Sequence, residues 1–116
     1  MKRVTILLHG RPITETALAD RFFLRLRGLI GRDVRSLGGL FISPCGQIHT
    51  CFMSEPIDAV YLSREGEVLH IDAALPPNRL CRAVRGARCV LELPAGAAAE
   101  LGIFCGAVIE NSEIKY

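Results

Sequence analysis

Residues 57–73, IDAVYLSREGEVLHIDA, decide the fold, because they combine two strand-forming runs with a tight turn. The runs 57–62 and 67–73 have the length and apolar content of short β-strands. Ser63-Arg64-Glu65-Gly66 lies between them and is typical of a hairpin turn, in which Gly66 is free to take a positive φ. This stretch therefore predicts two antiparallel strands, to which the rest of the chain is expected to add others.

Further strands and two helices are predicted outside this hairpin. Residues 13–19 either return as the second strand of an N-terminal hairpin or already begin a helix. The first helix is expected to begin after Asp20 and to end at Gly28 or Gly31, because apolar side chains recur there at helical spacing and either glycine can take a left-handed conformation. Ala-rich residues 95–101 predict the second helix. The other strands are expected over 3–9, 40–42, 47–53, 88–93 and 103–110, and the rest of 33–46 is expected to be loop.

About seven short strands with two short helices predict an α+β fold that is mostly antiparallel. A sheet of this size protects its edges best as a small barrel-like or strongly curled sheet. The 116 residues are 50% hydrophobic and 22% charged, which suits one folded domain and excludes a disordered chain. We therefore expect a single domain over residues 1–116, with a monomer as the default state.

The sequence also predicts a cytoplasmic protein without a membrane span. No apolar run approaches the roughly 18 residues of a membrane helix. The apolar run 4–8 after Met1-Lys2-Arg3 is shorter than the core of a signal peptide. The five cysteines include no Cys-x-x-Cys pair, so in a reducing compartment they are expected mostly as small buried hydrophobes.

Residues 49–58 are the densest run of chemically unusual side chains in the chain. If 47–53 is a strand, His49, Cys51 and Met53 share one face. Such a soft-ligand set suits Cu(I) or Zn, although a closed site needs further ligands from elsewhere. In the alternative, Cys51 and Met53 fill the core and His49 is a hydrogen-bonded histidine. We expect no metal and no cofactor, with His49 and Cys51 as the candidate ligands should a metal bind.

Catalysis is not favoured by the same run. Cys51 and His49 could form a nucleophile and a base, but the sequence shows no third group to orient the base. A glycine-rich oxyanion turn beside the cysteine is absent as well. The sequence leaves enzyme activity open and leans against it.

Asp58 is the most informative polar residue of the hairpin. It alternates with Val60 and Leu62 on an apolar face, where a carboxylate is costly unless it is paired. It is expected either to form a structural ion pair or to form one side of a polar pocket. The expected partners are arginines, and the candidate ligand-binding set is His49, Met53, Asp58, Arg21 and Arg25. The arginines considered as partners are Arg21, Arg25, Arg32, Arg85 and Arg88.

Nucleic acid is not an expected partner. The net charge of +2 is too small to imply it, and the basic run 79–88 has no interleaved aromatic residues and no recognised motif. The partner is expected to be a small ligand or another protein.

Three blocks of the chain resemble the uncharacterised family known as domain of unknown function 192. They are Ala19-Asp20 with RLRGLIGR at 25–32, His49 to Met53 with Pro56-Ile57-Asp58 and the hairpin, and VLELPAG at 90–96 with the glycines 102 and 106. Together they span about residues 15–110. Cys51 departs from the usual pattern, and Gly106-Ala107 stands where many members have Gly-Asp.

The resemblance implies a small β-rich, barrel-like domain and no established activity, cofactor or catalytic residue. Many members follow a signal peptide, which this sequence does not show. The function expected from the sequence is therefore a non-catalytic binding or accessory module of unknown ligand. The alternative is a small-molecule enzyme or a soft-metal-binding protein that uses the His49, Cys51 and Met53 face.

Overall fold

The computed structural model describes residues 2–21, 25, 29–30, 32–50, 53–81 and 83–112. Within these ranges, seven strands form one sheet and two one-turn helices lie against it. The strands are β1 (Arg3–Leu8), β2 (Arg11–Ala19), β3 (Leu40–Ile42), β4 (Ile57–Leu62), β5 (Val68–Leu75), β6 (Cys89–Pro94) and β7 (Ile109–Asn111). The helices are α1 (Val34–Leu37) and α2 (Ala97–Glu100).

The sheet is mostly antiparallel and strongly curled. Its strand order is β5-β4-β6-β3-β2-β1-β7, and only β2 and β3 run parallel. Its two edge strands meet at one corner, where Val68 N donates to Ala107 O at 2.8 Å and Ile109 N donates to Gly66 O at 2.8 Å. The strands do not pair along their whole length there, so the sheet is curled rather than closed. The predicted α+β class is confirmed.

Both hairpins follow from their turns. Gly66 takes φ +86° between β4 and β5, as the tetrapeptide predicts, and its N–H donates to Ser63 O at 3.0 Å. Strand β2 pairs antiparallel with β1, so residues 13–19 form a strand and the helical alternative for them is wrong.

The central strands β3, β4 and β6 are buried on both faces of the sheet. We call the face that carries Val60 and Leu62 the inner face, and it encloses one apolar core. The opposite, outer face carries Ala59 and Tyr61. A second core forms there because side chains from outside the strands pack on this face; they include Leu29, Val34, Ile48, Met53 and Cys81.

The predicted strand over 47–53 is wrong for the residues that are described. Only one isolated bridge forms, between His49 and Leu80. Residues 46–50 instead run beside 78–84 as an irregular pair, which we call the outer ribbon. Its bonds include Thr50 N to Arg79 O at 2.7 Å and Cys81 N to Ile48 O at 3.1 Å. A regular ladder cannot extend here, because the partner segment follows two prolines and Asn78 has φ +62°.

In residues 20–37 the structure shows a helix, α1, that the sequence does not predict. Residues 33–46 are expected to be loop around one strand, but α1 forms there because the Asp33 carboxylate accepts the Arg35 N–H at 3.0 Å. The predicted first helix lies largely outside the described residues. Of its residues, Arg25 donates its N–H to Arg21 O at 2.9 Å, the bond of one helical turn. None of the helices in the described ranges is long and apolar enough to cross a membrane.

Candidate functional site

The two halves of the outer ribbon are held together by the buried Thr50. Its Oγ1 donates to Pro76 O at 2.7 Å and accepts the Arg79 N–H at 2.8 Å. The side chain of Gln47 adds a bond from Nε2 to Cys81 O at 2.7 Å. These bonds fix the backbone on both sides of His49, so the position of the half-buried imidazole is set by its neighbours.

Asp58 does not contribute to an outer-face site, because its side chain lies on the inner face. The carboxylate is 1% exposed. Oδ1 accepts the Ala74 N–H at 2.9 Å, and Oδ2 accepts the Ala98 N–H at 3.0 Å. The expected arginine partner is therefore wrong: backbone N–H groups bind both oxygens. One of these groups belongs to α2, so Asp58 fixes that helix on the sheet.

Neither Met53 nor Arg21 lines the pocket that His49 lines. Met53 is buried in an apolar cleft whose walls include Leu29, Val34 and Ile57. Arg21 is exposed one helical turn before Arg25. Cys51 lies outside the described residues. The structure thus separates His49, Met53 and Asp58, which the sequence treats as one candidate set.

A polar pocket on the outer face does bring two of the predicted residues together. It has an empty volume of about 270 Å³, including its opening to solvent. His49 from the outer ribbon and Arg25 lie in its wall, and Glu92 of β6 lies between the neighbouring residues Leu40 and Ala59 of the sheet. We call it the Glu92 pocket; its lining residues are Arg25, Ile42, Cys45, Gln47, Ile48, His49 and Glu92.

Glu92 has the most unusual environment of any carboxyl in the described ranges. It is 1% exposed, and its Oε2 has no hydrogen-bond partner among the described residues. None of the ion pairs found in the described part of the chain includes it. Burial raises the pKa of Glu92 to about 8, because the charged form loses its hydration without gaining a partner. At neutral pH the group is therefore mainly a neutral acid.

Cys45 lies within electrostatic range of both Glu92 and Arg25. Burial raises the pKa of its thiol; the bond from Sγ to Gln47 O at 3.2 Å opposes this effect. Glu92 raises the same pKa and Arg25 lowers it. The pKa of Glu92, in contrast, is set by burial. The carboxyl and the guanidinium therefore face one pocket without forming a pair.

Tyr61 is a second buried polar group on the outer face. Burial raises the pKa of its phenol, and the carboxylates of Asp72 and Glu92 act in the same direction. Asp72 itself accepts from His70 Nε2 at 2.7 Å, and it also acts on the Tyr61 hydroxyl as a hydrogen-bond acceptor, although no bond of standard geometry joins the two. The phenol of Tyr61 is therefore influenced both by Glu92 of β6 and by Asp72 of the edge strand β5.

A metal centre is not built in this part of the molecule. Among the residues that the structure describes, no three His, Cys, Asp or Glu side chains are placed to hold one ion. Cys45, His49 and Glu92 share the pocket but not such a geometry.

Glu92 is the functional candidate that the sequence interpretation missed. Its signal is the same as that of Asp58, a single carboxylate inside a run of apolar strand residues, VLELP. A buried acid without an adjacent basic residue is the pattern that could have identified it.

Comparison with known proteins assigns the family. The model of the family DUF192, described as Uncharacterized ACR, matches residues 4–111. The chain belongs to this family. The family carries no described activity, and among curated proteins no sequence matches the chain.

Two solved structures are similar to this DUF192 protein. A protein of unknown function from Novosphingobium aromaticivorans DSM 12444 is 23% identical with a TM-score of 0.77, over 93% of this chain and 83% of that chain. A candidate transcription regulator from Sinorhizobium meliloti 1021 is 24% identical with a TM-score of 0.78, over 94% and 92%. At these identities the likeness shows the fold alone.

Proposed function

We propose that this DUF192 protein is a non-catalytic binding module that takes a small polar ligand in the Glu92 pocket. The observation that carries the proposal is the Glu92 carboxyl, 1% exposed with Oε2 unpartnered among the described residues. A buried polar atom without a partner costs roughly 1–3 kcal/mol. A ligand that donates a hydrogen bond to Oε2 removes this cost, which adds to its affinity.

The other lining residues support the same function. Ile42 and Ile48 give the pocket apolar walls, while His49 and Arg25 bring polar groups to it. This combination of apolar walls with a few convergent polar groups and a carboxyl of perturbed pKa is typical of ligand pockets. Glu92 lies on strand β6 and His49 on the outer ribbon, so hydrogen-bonded backbone fixes the position of both residues.

Titration of the ¹⁵N-labelled protein with a panel of small amines, amino acids, amides and carboxylic acids tests the proposal. We expect at least one compound to shift the amide signals of residues 45–49 and 90–93. The substitution Glu92→Leu should remove these shifts, while Glu55→Gln, which removes a charge outside the pocket, should leave them. If no compound of the panel shifts these signals, the proposed function is wrong.

A second candidate function is acid–base chemistry on the bound compound. One observation favours it: a carboxyl with a pKa near 8 remains protonated at neutral pH and lies in the same pocket as His49. Such a group can act as a general acid. Prolonged incubation with each bound compound, followed by NMR of the compound, separates the two functions. New product signals that disappear in Glu92→Gln would establish catalysis, and unchanged compounds would establish binding alone.

A further inference from the structure

We infer that the ligand of the Glu92 pocket is a small zwitterion, whose ammonium group binds Glu92 and whose carboxylate binds Arg25. The inference rests on the proposed function and names the chemical class of the ligand. An α-, β- or γ-amino acid without a bulky side chain is the simplest compound of this class.

The first argument is that the pocket contains two opposite charge-bearing groups that do not pair with each other. Glu92 takes part in none of the ion pairs of the described residues, and Arg25 does not compensate for its burial. Both groups nevertheless act on Cys45, which places this thiol within range of each. A compound with a cation at one end and an anion at the other can bind both groups at once.

The second argument is that the other polar side chains near the pocket floor are already bonded. Gln47 donates its side-chain N–H to Cys81 O at 2.7 Å, and the Cys45 thiol donates to Gln47 O at 3.2 Å. Glu92 Oε2 is the acceptor that has no such bond in the described residues. A ligand therefore finds one carboxyl on the sheet and a guanidinium in the wall.

The chemistry of the two groups selects the two ends of the ligand. An ammonium group carries three donors and no acceptor, so it suits a carboxylate that lacks donors around it. The planar guanidinium binds a carboxylate through two parallel bonds. The empty volume of about 270 Å³ includes the opening of the pocket to solvent, so the enclosed space is smaller and favours a ligand no larger than a small amino acid.

Binding of an ammonium group to Glu92 has a defined proton balance. In the free protein at neutral pH the carboxyl holds its proton, because burial raises its pKa to about 8. The bound ammonium group favours the ionised form of Glu92, so binding releases this proton to solvent. The affinity for the ligand therefore increases as pH rises toward 8. The other titratable or charged groups around Glu92 are Cys45 and His49 of the ribbon side, Tyr61 of β4, and Arg25.

The test is an NMR titration with glycine, β-alanine and γ-aminobutyrate at about pH 6 and about pH 8. Methylammonium and acetate serve as the two half-ligands. We expect at least one zwitterion to bind more tightly than either half-ligand, with an affinity roughly 50-fold higher at the upper pH, the ratio of ionised Glu92 between the two conditions. His49→Asn should keep this pH dependence, which excludes the imidazole as its cause.

Matched variants assign the two ends of the ligand. Glu92→Gln should abolish the pH dependence of binding. It should weaken the binding of zwitterions and of methylammonium, but not that of acetate. Arg25→Gln should weaken the binding of zwitterions and of acetate, but not that of methylammonium. The amide spectrum of each variant shows that it is folded, and Glu55→Gln controls for the loss of an acidic side chain elsewhere.

The outcomes separate the inference from the proposed function. If methylammonium or acetate binds as tightly as every zwitterion, or if a neutral amide of the wider panel binds best, the zwitterion is refuted and the binding function stands. If no compound shifts the amide signals of residues 45–49 and 90–93, both the zwitterion and the proposed binding function are refuted.

Discussion

The substitution Glu92→Gln should stabilise the protein, and the gain should grow with pH. Burial raises the pKa of Glu92 from its ordinary 4.5 to about 8 in the folded protein. Between these two values the unfolded chain binds fewer protons at this position than the folded protein, so the free energy of unfolding falls as pH rises. Below about pH 4.5 both states are protonated and above about pH 8 both are ionised, so the slope disappears outside this window.

The expected size follows from the shift between the two pKa values. One pKa unit corresponds to about 1.4 kcal/mol, so ionisation of Glu92 lowers the free energy of unfolding by about 1 kcal/mol at pH 5 and about 3 kcal/mol at pH 7. Glutamine has nearly the same shape and does not ionise. The difference in stability between Glu92→Gln and the wild-type protein should therefore increase by roughly 2 kcal/mol from pH 5 to pH 7.

Urea unfolding of both proteins at about pH 5, 6, 7 and 8 measures this difference. All other titrating groups are shared, so their contributions cancel when one curve is subtracted from the other. A difference that stays constant across this range would refute the reasoning, because it would show that Glu92 is ionised in the folded protein at pH 5. A variant that loses stability relative to the wild type as pH rises would refute it as well.

Four further predictions concern other groups. Asp58→Ala should lower the free energy of unfolding by about 3 kcal/mol, measured in urea, because the buried N–H of Ala98 and the partly buried N–H of Ala74 lose their acceptor; an unchanged value would contradict this role. Thr50→Val should increase the rate of amide hydrogen exchange more in the outer ribbon than in β4 and β6. An equal increase in all three would contradict a local role of Thr50. Tyr61→Phe should change stability by less than about 1 kcal/mol, since its hydroxyl forms no hydrogen bond of standard geometry in the described residues; a larger loss would reveal one. In the folded protein, iodoacetamide should modify the exposed Cys105 well before the buried Cys89, as peptide mass spectrometry can show, and equal rates would contradict the burial of Cys89.

Much of the strand pattern was predictable, because it depends on local composition; the predicted strand over 103–110 is largely wrong, since residues 103–107 form turns and loop and β7 begins at Ile109. The turn at 63–66 and the short strand at 40–42 follow from residue type and spacing alone, and both form as expected. The outer ribbon was not predictable in this way. Its two halves are about thirty residues apart, and side-chain bonds of Thr50 replace part of a regular ladder. Within this run, Ile48, Thr50 and Met53 are buried without forming a regular strand.

The candidate site was predictable only in part, because residue types show in the sequence while the contacts of those residues do not. His49 and Arg25 stand out by residue type, and the structure places both in one pocket. The partners of Asp58 leave no signal in the sequence, because backbone N–H groups of Ala74 and Ala98 bind it. Glu92 lies among apolar residues just as Asp58 does, yet only the structure shows that one carboxyl is paired and the other is not.

The most direct measurement of the central claim is a ¹³C NMR titration of the Glu92 side-chain carboxyl. The carboxyl carbon is followed from about pH 4 to pH 9, first in the free protein and then with saturating β-alanine or whichever zwitterion binds best. We expect a midpoint near 8 in the free protein and a decrease of more than about one unit when the ligand is bound. A midpoint near 4.5 that the ligand does not change would contradict the claim that Glu92 is a buried, unpaired acid to which the ligand binds.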